Sequence, residues 1–252
     1  MVLGVQLYTL REYTKTREDL EQTLARVADM GYKTVQISGT CDYDPIWLNK
    51  KLKENGLRCV LTHFNPEKIK TAPEETVAFH NKFGCKNIGI GSVPGGLKND
   101  EDYNNFVSAF LPVAKRIAAL GSSFMFHNHF YEFIKSGNGK LYIERITEDF
   151  SPAELGFILD TYWVQYSGGD PAYWIKKLKG RVKCVHLKDM AYTDKQQMAS
   201  VGDGNMNFTS IIKACEEAGS EYLLVEQDEC YGKNPFDCIK RSYKYLKSFG
   251  LE

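Results

Sequence analysis

The chain has 252 residues with 32 basic and 32 acidic side chains, so its formal net charge is zero and no basic field draws it toward nucleic acid. That length suits one domain with a sizeable core, and no run approaches the roughly 18 consecutive apolar residues of a membrane-crossing helix. Seven cysteines without a CxxC pair, and a start MVLGVQLYTLRE without a basic-then-apolar leader, predict a reduced cytoplasmic protein.

Along the chain two hydrophobic periods alternate. Apolar runs at 3–8, 34–38, 58–64, 87–91, 123–129, 155–160, 181–187 and 222–227 predict strands. Amphipathic stretches at 17–30, 44–55, 67–83, 101–120, 140–149, 170–179, 208–218 and 235–249 predict the helices that follow them. Asp170 before Pro171, and Asn207 before FTSIIKACEEAG, supply N-caps. Gly31, Gly56, Gly84, Gly121, Gly180 and Gly219 supply helix stops. Eight strand–helix units with short connections over residues 1–252 predict an α/β fold, a single closed (β/α)8 barrel. An open doubly wound sheet is the alternative. Its phosphate loop would need glycines after the first strand, where this chain reads LYTLRE. A GNGK turn at 137–140 predicts a small hairpin at the rim beyond strand five.

Units five to eight begin with strands that end in polar groups: FMFHNHFYE (124–132), LGFILD (155–160), VKCVHLKD (182–189) and YLLVEQD (222–228). Alternation puts every second side chain on one face, pairing His127 with His129, His186 with Lys188 and Glu226 with Asp228. The C-terminal strand ends of a parallel barrel carry its active face. Glu132, Asp160, His186 and Glu226 are therefore candidate ligands for one divalent ion, Mn, Mg, Co or Zn. Each alone has an ordinary explanation, since an Asp ending a strand often caps a helix and a lone His is usually a satisfied core residue. Four in consecutive units are harder to dismiss.

The strand-five ligand is ambiguous among His127, His129 and Glu132. A carboxylate can serve as both ligand and base, which favours Glu132 and leaves His127 and His129 to orient substrate. Gln6 and Tyr8 on strand one, His63 closing strand three, Trp163 after Asp160, and Lys188 are further substrate-binding candidates at the same end. Gln36 and Ser38 lie in strand two, and Arg11 follows strand one. The glycine-bearing segment VGDGNMNF (201–208) has the composition of a phosphate cradle or of a lid.

VQLYTLRE, HNHxxEF, LDTYWVQYSGGDP, VHLKD, VGDGN and LLVEQD, in this order and over nearly the whole chain, resemble the sugar phosphate isomerase/epimerase family. These are xylose isomerase-like barrels related to tagatose 3-epimerases and inosose dehydratases. The resemblance implies one divalent metal held by a Glu–Asp–His–Glu set at the strand ends. Asp160, His186 and Glu226 match its last three positions, whereas strand five carries His127 where the epimerases place a Glu. The HNHxxEF variant is closer to the branch acting on inososes and 3-keto-sugars.

The chemistry expected is metal-dependent proton abstraction beside a carbonyl of a sugar or keto-sugar, through an enediolate held by the ion, with Glu132 or Glu226 as base. An isomerase or epimerase is the first reading. A lyase or dehydratase acting on an inosose or 3-keto-glycoside is the alternative, and a non-catalytic sugar-binding barrel the third. The partner expected is a small sugar or polyol, with no nucleic acid and no membrane, and a homo-oligomer is left open. A DNA-cleaving barrel of related type would need more ligands and a basic face than five histidines and zero net charge provide.

Overall fold

A computed structural model describes residues 1–251. Eight parallel strands close into a barrel: β1 (Val2–Gln6), β2 (Thr34–Ile37), β3 (Arg58–His63), β4 (Asn87–Ile90), β5 (Ser123–His127), β6 (Leu155–Asp160), β7 (Cys184–Leu187) and, after a hairpin of β8 (Asp189–Tyr192) and β9 (Gln196–Ala199), β10 (Tyr222–Val225). The chain visits neighbours in order, and β10 closes the ring by pairing with both β1 and β7. All eight strand runs read from the sequence are these eight staves. Both faces of each stave are covered, so the runs are apolar without a polar alternate until their last residues.

The barrel interior is filled by Leu61, Met125, Ile158, Cys184 and Leu224. Space there is limiting: a Cβ on Gly4 would lie 2.2 Å from Thr34 Oγ1 and 2.6 Å from a Leu224 methyl. The larger cluster lies between staves and helices, from Leu20 and Leu24 on α1 (Arg17–Asp29) round to Phe236 and Ile239 on α10 (Pro235–Lys247). Of the intervening helices, α2 (Pro45–Glu54), α5 (Asp100–Ala119), α6 (Tyr142–Asp149), α8 (Pro171–Lys177) and α9 (Phe208–Ala218) match the expected stretches to within a few residues. Asp170 and Asn207 accept N–H groups of the first turns they precede. Gly219 closes α9 with φ 79°, a left-handed conformation that costs a glycine little.

Four differences from the sequence reading have local causes. The stretch 67–83 is two helices, α3 (Pro66–Thr71) and α4 (Pro73–Asn81), because Pro73 forces Ala72 out of helical geometry (φ −142°, ψ 63°). β1 ends at Gln6 because the Gln6 side chain accepts the Tyr8 N–H at 3.1 Å and starts a 3-10 turn over Leu7–Tyr13, so Gln6 and Tyr8 do not share a strand face. Asp160 caps a short helix, α7 (Thr161–Tyr166), which places Trp163 on a helix rather than in a turn. The antiparallel hairpin β8–β9 has no counterpart among the strands expected from the sequence. Among the described residues no helix is long and apolar enough to cross a membrane, and the seven cysteines are unpaired.

Candidate metal and substrate site

The polar groups at the ends of β5, β6, β7 and β10 converge. His127 is the last residue of β5, Asp160 the last of β6, His186 the third of β7, and Glu226 follows β10 directly. Parallel register sets Asp160 opposite His186. The four side chains are buried, and each offers a donor atom within 4.8 Å of the others.

The two imidazoles are oriented from behind. His127 Nδ1 donates to the Gly91 carbonyl at 2.9 Å, which turns Nε2 toward Asp160 Oδ2 at 3.3 Å. His186 Nε2 donates to Gln36 Oε1 at 2.6 Å, which turns Nδ1 inward, 2.9 Å from Glu226 Oε2 and 3.8 Å from Asp160 Oδ2. His186 Nδ1 and Glu226 Oε2 approach without hydrogen-bond alignment, and neither atom has a hydrogen-bond partner. Fixing one ring nitrogen on a protein acceptor while the other faces a cluster of carboxylates is how metal-ligating histidines are held. Two nitrogens and two carboxylate oxygens so placed can hold a divalent ion.

Glu132 stands outside this set. It is fully buried, and its Oε2 accepts the His129 N–H at 2.8 Å, closing the turn after β5. Its other oxygen has no partner, and burial pushes its carboxyl up to about 8. The structure thus brings together His127, Asp160, His186 and Glu226, and leaves Glu132 supporting the loop behind His129.

Lys188 enters the cluster as a second charge carrier. Its side chain is 1 % exposed, and Nζ lies 3.0 Å from each of Asp160 Oδ2, Glu226 Oε2 and Asp228 Oδ2. Burial opposes the charge on this ammonium, but the three carboxylates hold its pKa well above the ordinary lysine value. Burial likewise opposes ionisation of Asp160 and Glu226, yet Lys188 and the neighbouring imidazoles hold both well below the ordinary carboxylate range. His186 is raised to about 9, burial being outweighed by Glu226 and Asp160. Asp228 goes the other way, up to about 7, through burial and repulsion from Glu226. The buried carboxylates therefore demand positive charge, which protonated His186 and Lys188 supply.

The remaining candidates line the approach. His63 packs its ring 5.1 Å from that of His127 and 5.6 Å from that of His186. Its Nδ1 lies 3.5 Å from Gln6 Nε2 and 3.4 Å from Ser38 Oγ, its Nε2 has no partner, and burial followed by repulsion from His127 keeps it neutral. His129 stacks on Tyr131 and lies 5.5 Å from Trp163; burial lowers it to about 3. Tyr8 lies at the rim, 38 % exposed, beneath the Arg11 guanidinium. Beside His63 a cavity of about 590 Å³ opens between the ends of β2 and β3, lined by Ser38, Asp42, Tyr43, Asn65 and Phe79 among others.

Three supporting residues escaped the sequence reading. Asn128 Oδ1 accepts the Asp160 N–H at 2.9 Å and ties β6 to the end of β5. Thr161 Oγ1 accepts the Lys188 N–H at 3.0 Å and donates to the Lys188 carbonyl at 2.8 Å. Asp189 organises VGDGN. Its carboxylate accepts the N–H groups of Met190, Gly202, Gly204 and Met206, so the loop is already cradling an internal anion and is no phosphate cradle. Each adjoins a residue that was singled out, and that adjacency is the signal that was available.

An (β/α)8 barrel with buried His, Asp and Glu donors at its C-terminal rim defines a class of enzyme-bearing barrels. Residues 24–249 match the family described as the xylose isomerase-like TIM barrel, and the chain belongs to it. It is 23% identical to an inosose dehydratase of Lacticaseibacillus casei, over 90% of this chain and 88% of that one. An inosose dehydratase of Clostridium perfringens is 24% identical, with 90% and 89% covered. A solved sugar phosphate isomerase/epimerase from Parabacteroides distasonis superposes with TM-score 0.83 at 24% identity, over 98% of this chain and 93% of that one. A solved L-ribulose 3-epimerase does so at 0.75 and 16%, over 100% and 95%.

Proposed function

We propose that this protein is a carbohydrate-processing lyase of the dehydratase type. It removes the proton beside the carbonyl of a keto-sugar or keto-polyol and expels hydroxyl from the next carbon. The observation that carries this reading is the asymmetry of the cluster. The end of β5 presents an imidazole, and Glu132, which a two-carboxylate exchange would need there, is bonded to the His129 backbone. One side of the site is then a base and the other a cation.

Glu226 is the base. Of the two cluster carboxylates, Asp160 has one oxygen committed to the Trp163 N–H in capping α7, whereas the Glu226 carboxylate meets only the side chains of His186 and Lys188. Lys188 is the donor that meets the departing oxygen, since its ammonium stands at the cluster and is hydrogen-bonded to Asp228, a partner outside the four donors. Loss of the α-proton and the neighbouring hydroxyl as water leaves an enol, which tautomerises to a dione. Trp163, His129 and Tyr131 give the sugar a stacking wall. His127, Asp160, His186 and Glu226 would hold a divalent ion, which when bound supplies the charge that acidifies a C–H beside a carbonyl. Two imidazoles in the set favour Mn, Co or Zn over Mg. Free thiols accord with a cytoplasmic setting.

The names of the relatives support elimination, which moves the lyase ahead of the isomerase expected from sequence. Isomerisation or epimerisation is the second reading. It is favoured by Asp160 and Glu226 flanking one space, where a proton taken by one could be returned by the other. Incubation with a keto-inositol and with ketoses in D₂O, followed by proton NMR, decides between them. Elimination predicts loss of water with a new methylene signal carrying solvent deuterium. Deuterium uptake at a retained carbinol carbon, with no water lost, contradicts it.

A further inference from the structure

The ammonium of Lys188 lies 3.0 Å from each of three carboxylate oxygens and donates a hydrogen bond to one of them, Asp228 Oδ2. Two of those oxygens are the ones the histidines face. Asp160 Oδ1 is occupied by the Trp163 N–H, so Oδ2 is the oxygen turned to His127 Nε2, and it is also the oxygen 3.0 Å from Lys188 Nζ. Glu226 Oε2 likewise faces His186 Nδ1 and Lys188 together. The third oxygen differs: Asp228 belongs to none of the four donors, and its side chain is 22 % exposed, on the solvent side of the cluster.

We infer that Lys188 and a divalent ion compete for the same two oxygens, Asp160 Oδ2 and Glu226 Oε2, and that loading the ion moves the ammonium onto Asp228. This rests on the metal reading above. An ammonium is repelled from contact with two oxygens that a doubly charged ion has taken, because like charges would share one cage. The lysine has a flexible four-carbon stem and a partner already in contact, so the move needs no rearrangement of the backbone. Lys188 thus serves as a resident counter-cation for the metal-free protein, lowering its appetite for metal, and becomes an available donor once the ion is in place. It is a positioning residue for the carboxylates before loading.

The test compares the binding of Mn²⁺ by calorimetry to wild type and to Lys188→Met, with a crystal structure of the Mn²⁺-loaded wild type located by anomalous scattering. The expected results are binding at least about tenfold tighter in Lys188→Met, and a loaded wild type in which Nζ has left Asp160 and Glu226 but still contacts Asp228. Equal or weaker binding by folded Lys188→Met overturns the inference while leaving the metal reading intact. So does a loaded structure with Nζ still on all three oxygens, and that readout serves if the variant does not fold. If neither protein takes up Mn²⁺, the metal reading itself fails and the inference with it.

Discussion

The two halves of the barrel rim do different work. The β5–β7 arc with β10 supplies every charged group of the cluster: Asp160, His186, Lys188, Glu226 and Asp228, with His127 beside them. Against the histidines the β1–β4 arc sets neutral polar groups, Gln6, Gln36, Ser38 and the Gly91 carbonyl, and these hold the rings. One arc makes the chemistry and the other aims it. A neutral hydrogen bond behind a histidine is enough to fix its tautomer and direction without adding charge to a cluster that is already balanced.

Breaking the charged arc should have the largest effect. Glu226→Gln keeps the shape and removes the base, and turnover is expected to fall about a thousandfold in the NMR assay above, within the range of a lost general base. Activity near wild type would move the base elsewhere. Breaking the neutral arc should cost less. Gln36→Leu leaves every donor atom of the cluster in place but frees His186 to rotate, and Mn²⁺ affinity measured by calorimetry is expected to drop roughly 10–100-fold.

Glu132 belongs to neither arc and sharpens the contrast through stability alone. Its carboxyl titrates near 4.5 unfolded and about 8 folded, so the folded protein keeps a proton that the unfolded chain releases. The fold loses stability from this group as pH rises from about 4.5, and the loss levels off above about 8. The full span is on the order of 5 kcal/mol. Glu132→Gln removes the titration, so denaturation midpoints measured from pH 5 to 8.5 should fall less steeply than in wild type. Parallel curves would mean that Glu132 is already ionised in the fold.

The barrel was legible because each stave is an apolar run bounded by a glycine-ended helix, and burial on both faces leaves little else for such runs to do. Asp160, His186 and Glu226 were legible because each stands at a run's end. The strand-five member of the cluster is His127 and not Glu132 for a physical reason: sequence shows that Glu132 is near the strand end, but not that its carboxyl group folds back onto the His129 N–H. Alternation carried past the last residue of a strand was equally unsafe. It failed for Tyr8, where a side chain–backbone bond turns the chain at Gln6, and worked for Lys188 only because Thr161 grips its backbone. Residues that act by accepting one backbone N–H, such as Asn128 and Asp189, leave no periodic trace.

The central claim is that His127, rather than Glu132, completes the donor set with Asp160, His186 and Glu226. Mn²⁺ binding to His127→Ala and to Glu132→Gln, measured side by side with wild type, tests it most directly. The geometry predicts a loss of about a hundredfold for His127→Ala and less than about threefold for Glu132→Gln, whose carboxylate is bonded to backbone away from the cluster. Unchanged affinity in His127→Ala together with lost binding in Glu132→Gln would contradict it.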